Sequence, residues 1–344
     1  MNKVLSAPFS VCFAVTGKCN LKCRHCGAKD TWGARDIAKS KIFEIIDQIG
    51  KAKVFDVSLF GGEPLVRKDL FDLIGRFKKY PIQLSMNTNA VLMTSKTAEI
   101  LVKKLGVNNY IVSIDGNKET HEMQRGRNSF DKAIAGIRNI LKSGGKVIIS
   151  FTVTKINISD IEDVIRIGKR LGVSQVRFNH VFYGGNAACY MKEVYVSPQE
   201  ERAAFNLIHV FSKRYPGFLT GSYVQQYDKF KALGKIKPKK QLIVEPCGAA
   251  ITRCAIRPDG WMVPCEVIWE VKAGNAKNKD FLDIWNNSPV MKKFRKPLHI
   301  DCMKLGECAG CDYQFICFSG HRCYPYHYPG GIRNKQLYCW QRSS

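Results

Sequence analysis

The chain has 344 residues, of which 45% are hydrophobic and 24% charged, a balance that excludes collagen-like, coiled-coil and disordered readings. At about 100–200 residues per domain, the length accommodates one large domain and a smaller one. Fifty-four Lys and Arg against 29 Asp and Glu leave a net charge of +25, which fits either an anionic partner or a Lys-rich surface. The basic residues are spread along the chain instead of forming a block, so nucleic acid is disfavoured as a partner.

The segment Met1–Pro8 has no apolar stretch of signal-peptide length, and the longest apolar runs, such as Val147–Val153, fall far short of the ~20 residues of a membrane span. A cytoplasmic protein without membrane association is expected. In that reducing compartment its 14 cysteines point to metal or catalytic use and away from a disulfide framework.

In chain order, short apolar strands are predicted at Val11–Val15, Val54–Phe60, Ile82–Asn87, Tyr110–Ile114, Val147–Val153 and Gln175–His180. Helical spacing of apolar residues marks Ile37–Gly50, Asp69–Lys79, Lys96–Leu105, Phe130–Ser143, Ile158–Leu171 and Pro198–Tyr215. Strand–helix units in succession predict an α/β fold with a parallel sheet, open or closed into a partial barrel, and catalytic groups on loops after the strands. From Pro216 to Pro246 the pattern gives way to a Lys-rich stretch punctuated by Gly and Pro. The expected division is therefore a barrel over 1–215, a linker over 216–246 and a small C-terminal domain over 247–344.

Cys19-Asn20-Leu21-Lys22-Cys23-Arg24-His25-Cys26 directly follows the first strand. Three such thiolates hold three irons of a cubane and leave the fourth iron for a ligand that is not protein. The alternative, a zinc knuckle, needs a fourth ligand, and His25, lying between two of the cysteines, is poorly placed to point the same way. Gly61-Gly62-Glu63-Pro64 ends the second strand, either as a turn or as a place where a backbone without Cβ approaches a ligand closely.

Together the two motifs resemble the radical S-adenosylmethionine superfamily. The resemblance implies a partial (β/α)6 barrel of TIM type and a 4Fe-4S cluster on Cys19, Cys23 and Cys26, with S-adenosylmethionine chelating the open iron. In that family an electron from the cluster cleaves the cofactor to methionine and a 5′-deoxyadenosyl radical, which abstracts hydrogen from a substrate. A flavodoxin- or ferredoxin-type donor supplies the electron. The resemblance further assigns Gly61, Gly62 and Glu63 to the methionine amino group, and Asn87, Ser113 and Arg125 to the ribose or carboxylate of the cofactor. Asp115 serves equally well as a turn former before Gly116.

Cys247, Cys254 and Cys265 flank Arg257-Pro258-Asp259-Gly260, a hairpin signal between apolar strands, and Cys308, Cys311, Cys317, Cys323 and Cys339 follow. These eight thiols suffice for two four-ligand cubanes. The set resembles the SPASM auxiliary-cluster domain. That resemblance implies an inner cluster on Cys247, Cys254, Cys265 and Cys323, an outer one on Cys308, Cys311, Cys317 and Cys339, and hence three 4Fe-4S clusters in all. The usual C-x3-C spacing, counted from Cys317, lands on His321, so either Cys323 or His321 completes the inner set; soft thiolate favours Cys323. Cys12, Cys189 and Cys302 remain, as buried apolar thiols or, for the last two, as hydrogen-atom donors to a substrate radical. Tyr313, Tyr324, Tyr326 and Tyr328 are expected to pack around the outer cluster.

Both resemblances imply an oxidoreductase acting on a peptide or protein, with a small anionic metabolite (sugar, aminoglycoside or tetrapyrrole) as the alternative substrate. An Fe–S electron carrier is disfavoured because it needs no cofactor cleft. Residues 1–10 leave no room for an N-terminal leader-binding domain, so a peptide substrate is expected to dock directly or through a separate leader-binding protein. Glu266 follows Cys265, where sulfatase-maturing relatives place an acidic residue that takes the substrate proton. It reads either as that general base or as a solvated surface side chain.

Overall fold

The structure is a computed structural model that describes residues 5–28, 35–182, 184–224 and 247–295. Cys302, Cys308, Cys311, Cys317, His321, Cys323, Cys339 and the tyrosines from Tyr313 onward lie outside the described residues.

Strands β1 (Ser10–Thr16), β2 (Asp56–Gly61), β3 (Gln83–Thr88), β4 (Asn109–Ser113), β5 (Lys146–Val153) and β6 (Gln175–His180) run parallel in sequence order. Helices α1 (Lys39–Lys51), α2 (Leu70–Phe77), α3 (Ser95–Glu99), α4 (Lys118–Arg125), α5 (Phe130–Lys142) and α6 (Ile161–Leu171) lie between them. Alternation sets the two faces of the sheet. On β5, Val147, Ile149, Phe151 and Val153 are buried, while α6 contributes Ile161, Val164 and Ile165 from a single stripe to the same core. Gly172, in the left-handed conformation, closes α6.

The strand–helix pattern runs past its expected limit at 215. After α7 (Asn186–Cys189), α8 (Met191–Val194) and α9 (Pro198–Arg214), strand β7 (Leu219–Gly221) pairs in parallel with β6. The beginning of the expected linker is thus part of the sheet; residues 225–246 are outside the described set. The helix α9 starts on a capping box, with the Ser197 hydroxyl accepting from Glu200 N and the Glu200 carboxylate accepting from Ser197 N.

The C-terminal portion joins the opposite edge. Strand β8 (Arg253–Ile256) pairs in parallel with Ser10–Phe13 of β1, then forms a hairpin with β9 (Trp261–Val263), which pairs with β10 (Gly274–Asn275). The turn forms where the sequence signal places it: Gly260 has φ +86°, and its N–H donates to Arg257 O at 2.9 Å. Two short helices, Phe281–Asn287 and Pro289–Arg295, cover this edge, and the buried Trp285 donates from Nε1 to Leu5 O at 2.9 Å. Among the described residues no helix is long and apolar enough to cross a membrane.

Candidate active site

The loop after β1 is pinned before any ligand is considered. Thr16 Oγ1 and Gly17 N donate to the Asp36 carboxylate at 2.7 and 3.0 Å, and Arg67 donates to Val15 O at 2.6 Å. The GG pair at the end of β2 meets this loop, not open space. Gly62 N donates to Thr16 O and Glu63 N to Lys18 O, each at 2.8 Å. A Cβ on Gly61 would lie 2.2 Å from Thr16 O, and one on Gly62 would lie 2.2 Å from Lys18 O. The glycines are therefore required by the protein's own cysteine loop, whereas the sequence alone suggested close approach to a ligand.

One cavity of about 340 Å³ is lined by Cys19, Cys23 and Cys26 together with Gly61, Gly62, Glu63, Asn87, Ser113, Arg125 and Glu266. Glu63 is fully buried. Its Oε1 accepts from Thr88 Oγ1 at 2.7 Å and Leu65 N at 3.2 Å, its Oε2 from Asn89 N at 2.7 Å, and burial pushes its carboxyl up to about 7. Asn87 donates to Ser58 Oγ at 2.7 Å, which ties β3 to β2. Burial also pushes the Cys23 thiol up to about 12, and the Cys26 and Cys19 thiols add to the rise. A metal that displaces their protons would relieve that cost. Leu21 N donates to Cys19 Sγ at 3.4 Å, and Arg125 Nη1 to Cys23 Sγ at 3.8 Å. Among the described residues no three metal-binding side chains stand close enough for a single ion; thiolates that each hold a different iron of a cubane stand farther apart. The donor set fits the cluster.

Behind the cysteines lies a buried charge network. Asp115 is fully buried; burial raises its carboxyl, but Arg125 and His25 outweigh that and hold it at about 2. Arg125 Nε donates to Asp115, and Thr152 N reaches the other carboxylate oxygen at 2.9 Å. Asp115 is thus the counter-ion of Arg125 as well as the residue before a turn glycine. His25 does line the cysteine cavity, contrary to expectation, with Nε2 3.5 Å from Asp115 and 3.3 Å from Arg125. Burial, aided by Arg125, lowers its imidazole to about 4, so it is neutral at pH 7.

The C-terminal cysteines divide. Cys247 and Cys265 line a second cavity of about 580 Å³, whereas Cys254 is not among its lining residues. Strand alternation turns Cys254 to the helix-covered face in register with Val11, and burial raises its thiol. Cys12 points to the other face, packed with Ala14, Ala255 and Trp269 and coupled to Glu266. Cys189 is exposed and lines neither cavity. Glu266 is partly exposed. It lines both cavities, accepts from Cys265 Sγ at 3.1 Å and faces Arg253 Nη1 at 3.5 Å.

Three groups lay beyond sequence reasoning. Asn186 clamps the cysteine loop, its N–H donating to Cys26 O and its Nδ2 to Cys23 O, each at 2.9 Å. His180 sits in the wall common to both cavities, with Nδ1 2.6 Å from Glu201 Oε1. Tyr223 donates to Glu201 Oε2 at 2.8 Å and stacks on His180 at 4.2 Å. These contacts join residues far apart in sequence, and no local motif announces them.

A parallel sheet carrying a three-cysteine loop after its first strand, with a GGEP turn seated against that loop, defines an iron–sulfur enzyme class that uses S-adenosylmethionine. Residues 13–167 match the Radical SAM superfamily and residues 247–312 the SPASM iron-sulfur cluster-binding domain, so the chain belongs to the radical S-adenosylmethionine superfamily and carries a SPASM domain. It is 28% identical to the AdoMet-dependent heme synthase of Methanosarcina barkeri (strain Fusaro / DSM 804), over 99% of each chain. With the mycofactocin maturase MftC of Mycolicibacterium smegmatis it shares 27% identity, over 92% of this chain and 78% of the relative. Streptococcus suis SuiB, solved bound to its precursor peptide SuiA, has the same fold: TM-score 0.77 at 20% identity, covering 99% of this chain and 76% of SuiB.

Proposed function

We propose that the chain is a cytoplasmic radical S-adenosylmethionine oxidoreductase that oxidises or cross-links a residue of a peptide or protein. The observation that carries this reading is the shared wall: Asn179, His180, Phe182, Glu266 and Val267 line both cavities, so a substrate in the larger one abuts the cofactor site. When bound, the cluster on Cys19, Cys23 and Cys26 supplies the electron that turns S-adenosylmethionine into methionine and the hydrogen-abstracting 5′-deoxyadenosyl radical. The chain's own residues do the rest. Arg125, with Asn87 and Ser113, orients the cofactor; Glu63 braces the strand ends beneath it; Glu266, beside the auxiliary cysteines, accepts the proton that the oxidised substrate loses. Cys247, Cys254, Cys265 and Cys323, and Cys308, Cys311, Cys317 and Cys339, would hold two auxiliary clusters, three in all, which would supply electron-transfer capacity, with a flavodoxin- or ferredoxin-type protein as the external donor. MftC and peptide-bound SuiB support a peptide substrate, met directly or through a leader-binding protein.

A second reading, oxidation of a carboxylated tetrapyrrole, is favoured by the end-to-end match to the heme synthase together with two arginines in the larger cavity. The two readings separate in one experiment. Reconstituted enzyme is reduced with dithionite in the presence of S-adenosylmethionine and extracts of cells grown in deuterated medium. Deuterium in 5′-deoxyadenosine with the protein and peptide fraction is expected; deuterium only with the small-molecule fraction selects the second reading. No 5′-deoxyadenosine in either sample would sink both.

A further inference from the structure

The larger cavity lies in the seam of the open barrel. Strands β6 and β7 form one wall, β8 and the loop after β9 the other, and an arginine stands on each side: Arg177 and Arg253. Gly221 lies against the first of them: a Cβ there would stand 2.9 Å from Arg177 Cγ as well as 2.2 Å from Phe178 O. Thr220 is paired with Arg177 in the β6–β7 register, so the two side chains share a face.

Their charges are not equally matched. Arg253 has Glu266 at 3.5 Å and the Cys265 and Cys247 thiols close by. Arg177 has no carboxylate in ion-pair contact among the described residues, and burial together with Arg253 pushes its guanidinium below the ordinary value. Thr220 Oγ1 is buried with no hydrogen-bond partner among the described residues. A half-buried guanidinium beside an unspent hydroxyl is costly alone and favourable once an anion accepts from both. The planar fork suits a carboxylate, which can accept two N–H donors side by side.

We infer that Arg177, with the Thr220 hydroxyl beside it, binds a carboxylate of the substrate and holds it in the seam while the reacting carbon lies across the shared wall in the cofactor cavity. The inference rests on the reading of the chain as a radical enzyme whose substrate fills these cavities. The carboxylate belongs either to an acid arm of a tetrapyrrole or to an acidic residue of a peptide.

Equilibrium dialysis with the full-length, cluster-reconstituted protein tests this without turnover. The probes are coproporphyrin III and its tetraamide, and two synthetic peptides that differ only in Glu against Gln. Wild type should bind one acid probe at least about 10-fold more tightly than its neutral counterpart, the size expected for charge-assisted hydrogen bonds. Arg177→Gln should erase that preference and Arg177→Lys should keep part of it, with iron content at the wild-type level in both. A porphyrin preference names the tetrapyrrole as source, and a peptide preference names the acidic peptide. An acid preference that survives in Arg177→Gln, or its absence for both probe pairs in wild type, overturns the proposal. Failure of 5′-deoxyadenosine formation would overturn the enzymatic reading and leave the binding result standing.

Discussion

The barrel mouth and the auxiliary module organise their cysteines in opposite ways. Cys19, Cys23 and Cys26 come from one loop that is bonded to β2 through Gly62 and Glu63 and clamped by Asn186, and all three face one cavity. Cys254 comes from β8 and Cys247 and Cys265 from the segments that flank the hairpin, so pleating sets the direction of Cys254 alone. Arg253 turns to the seam cavity and Cys254 to the helices. A loop braced by backbone hydrogen bonds thus presents its thiols as a set, while a strand can present only alternate residues to a given side.

Removing the braced set breaks the comparison most completely. Cys19→Ala, Cys23→Ala and Cys26→Ala together should abolish 5′-deoxyadenosine formation and remove about a third of roughly 12 irons per chain, read by iron assay and electron paramagnetic resonance. A wild-type count of about four irons would mean that the auxiliary module holds none.

A smaller effect should come from the boundary between the two regions. Glu266→Gln should lower substrate turnover by about 10²–10⁴-fold, the range of a positioned base, with iron content retained. Loss of iron instead would make Glu266 a support for Cys265, and unchanged turnover would place the base elsewhere.

The smallest effect concerns the charge network behind the barrel cysteines. His25 is held at about 4 in the folded chain against an ordinary 6.5, so the unfolded chain takes up the proton first as pH falls. Its contribution to stability is present above 6.5 and is lost between 6.5 and 4, by at most about 3 kcal/mol. Denaturant midpoints of the metal-free chain at pH 7 and 4.5 should show the drop, and His25→Phe should shrink it. An unchanged drop would assign it to His121, which burial and Arg125 lower to about 3.

Much of this could be read from the sequence, and the omissions have physical causes. The six strands were legible because five of them, β2 to β6, bury alternate and mostly apolar residues, most regularly in β5, while β1 is apolar nearly throughout. Helix α4, which delivers Arg125, was not: its buried residues are His121, Gln124 and Arg125, so its inward stripe is polar and carries no hydrophobic period. Asn117, whose side chain accepts from Glu119 N and Thr120 N, was the available start signal. β7 is three residues long and ends in glycine, too short to show alternation. The cysteine loop and GGEP were legible as motifs, yet the reason for the glycines emerged only from their distance to Thr16 and Lys18.

Ser10–Phe13 is hydrogen-bonded along its length to Arg253–Ile256, and the same strand leads within a few residues to Cys19. Among the described residues, the spacing between the first cysteine loop and the C-terminal hairpin is therefore fixed by one β-ladder. An electron passing from the Cys19–Cys26 loop to the hairpin that carries Cys265 would therefore cross a span set by the sheet itself, not by domain closure.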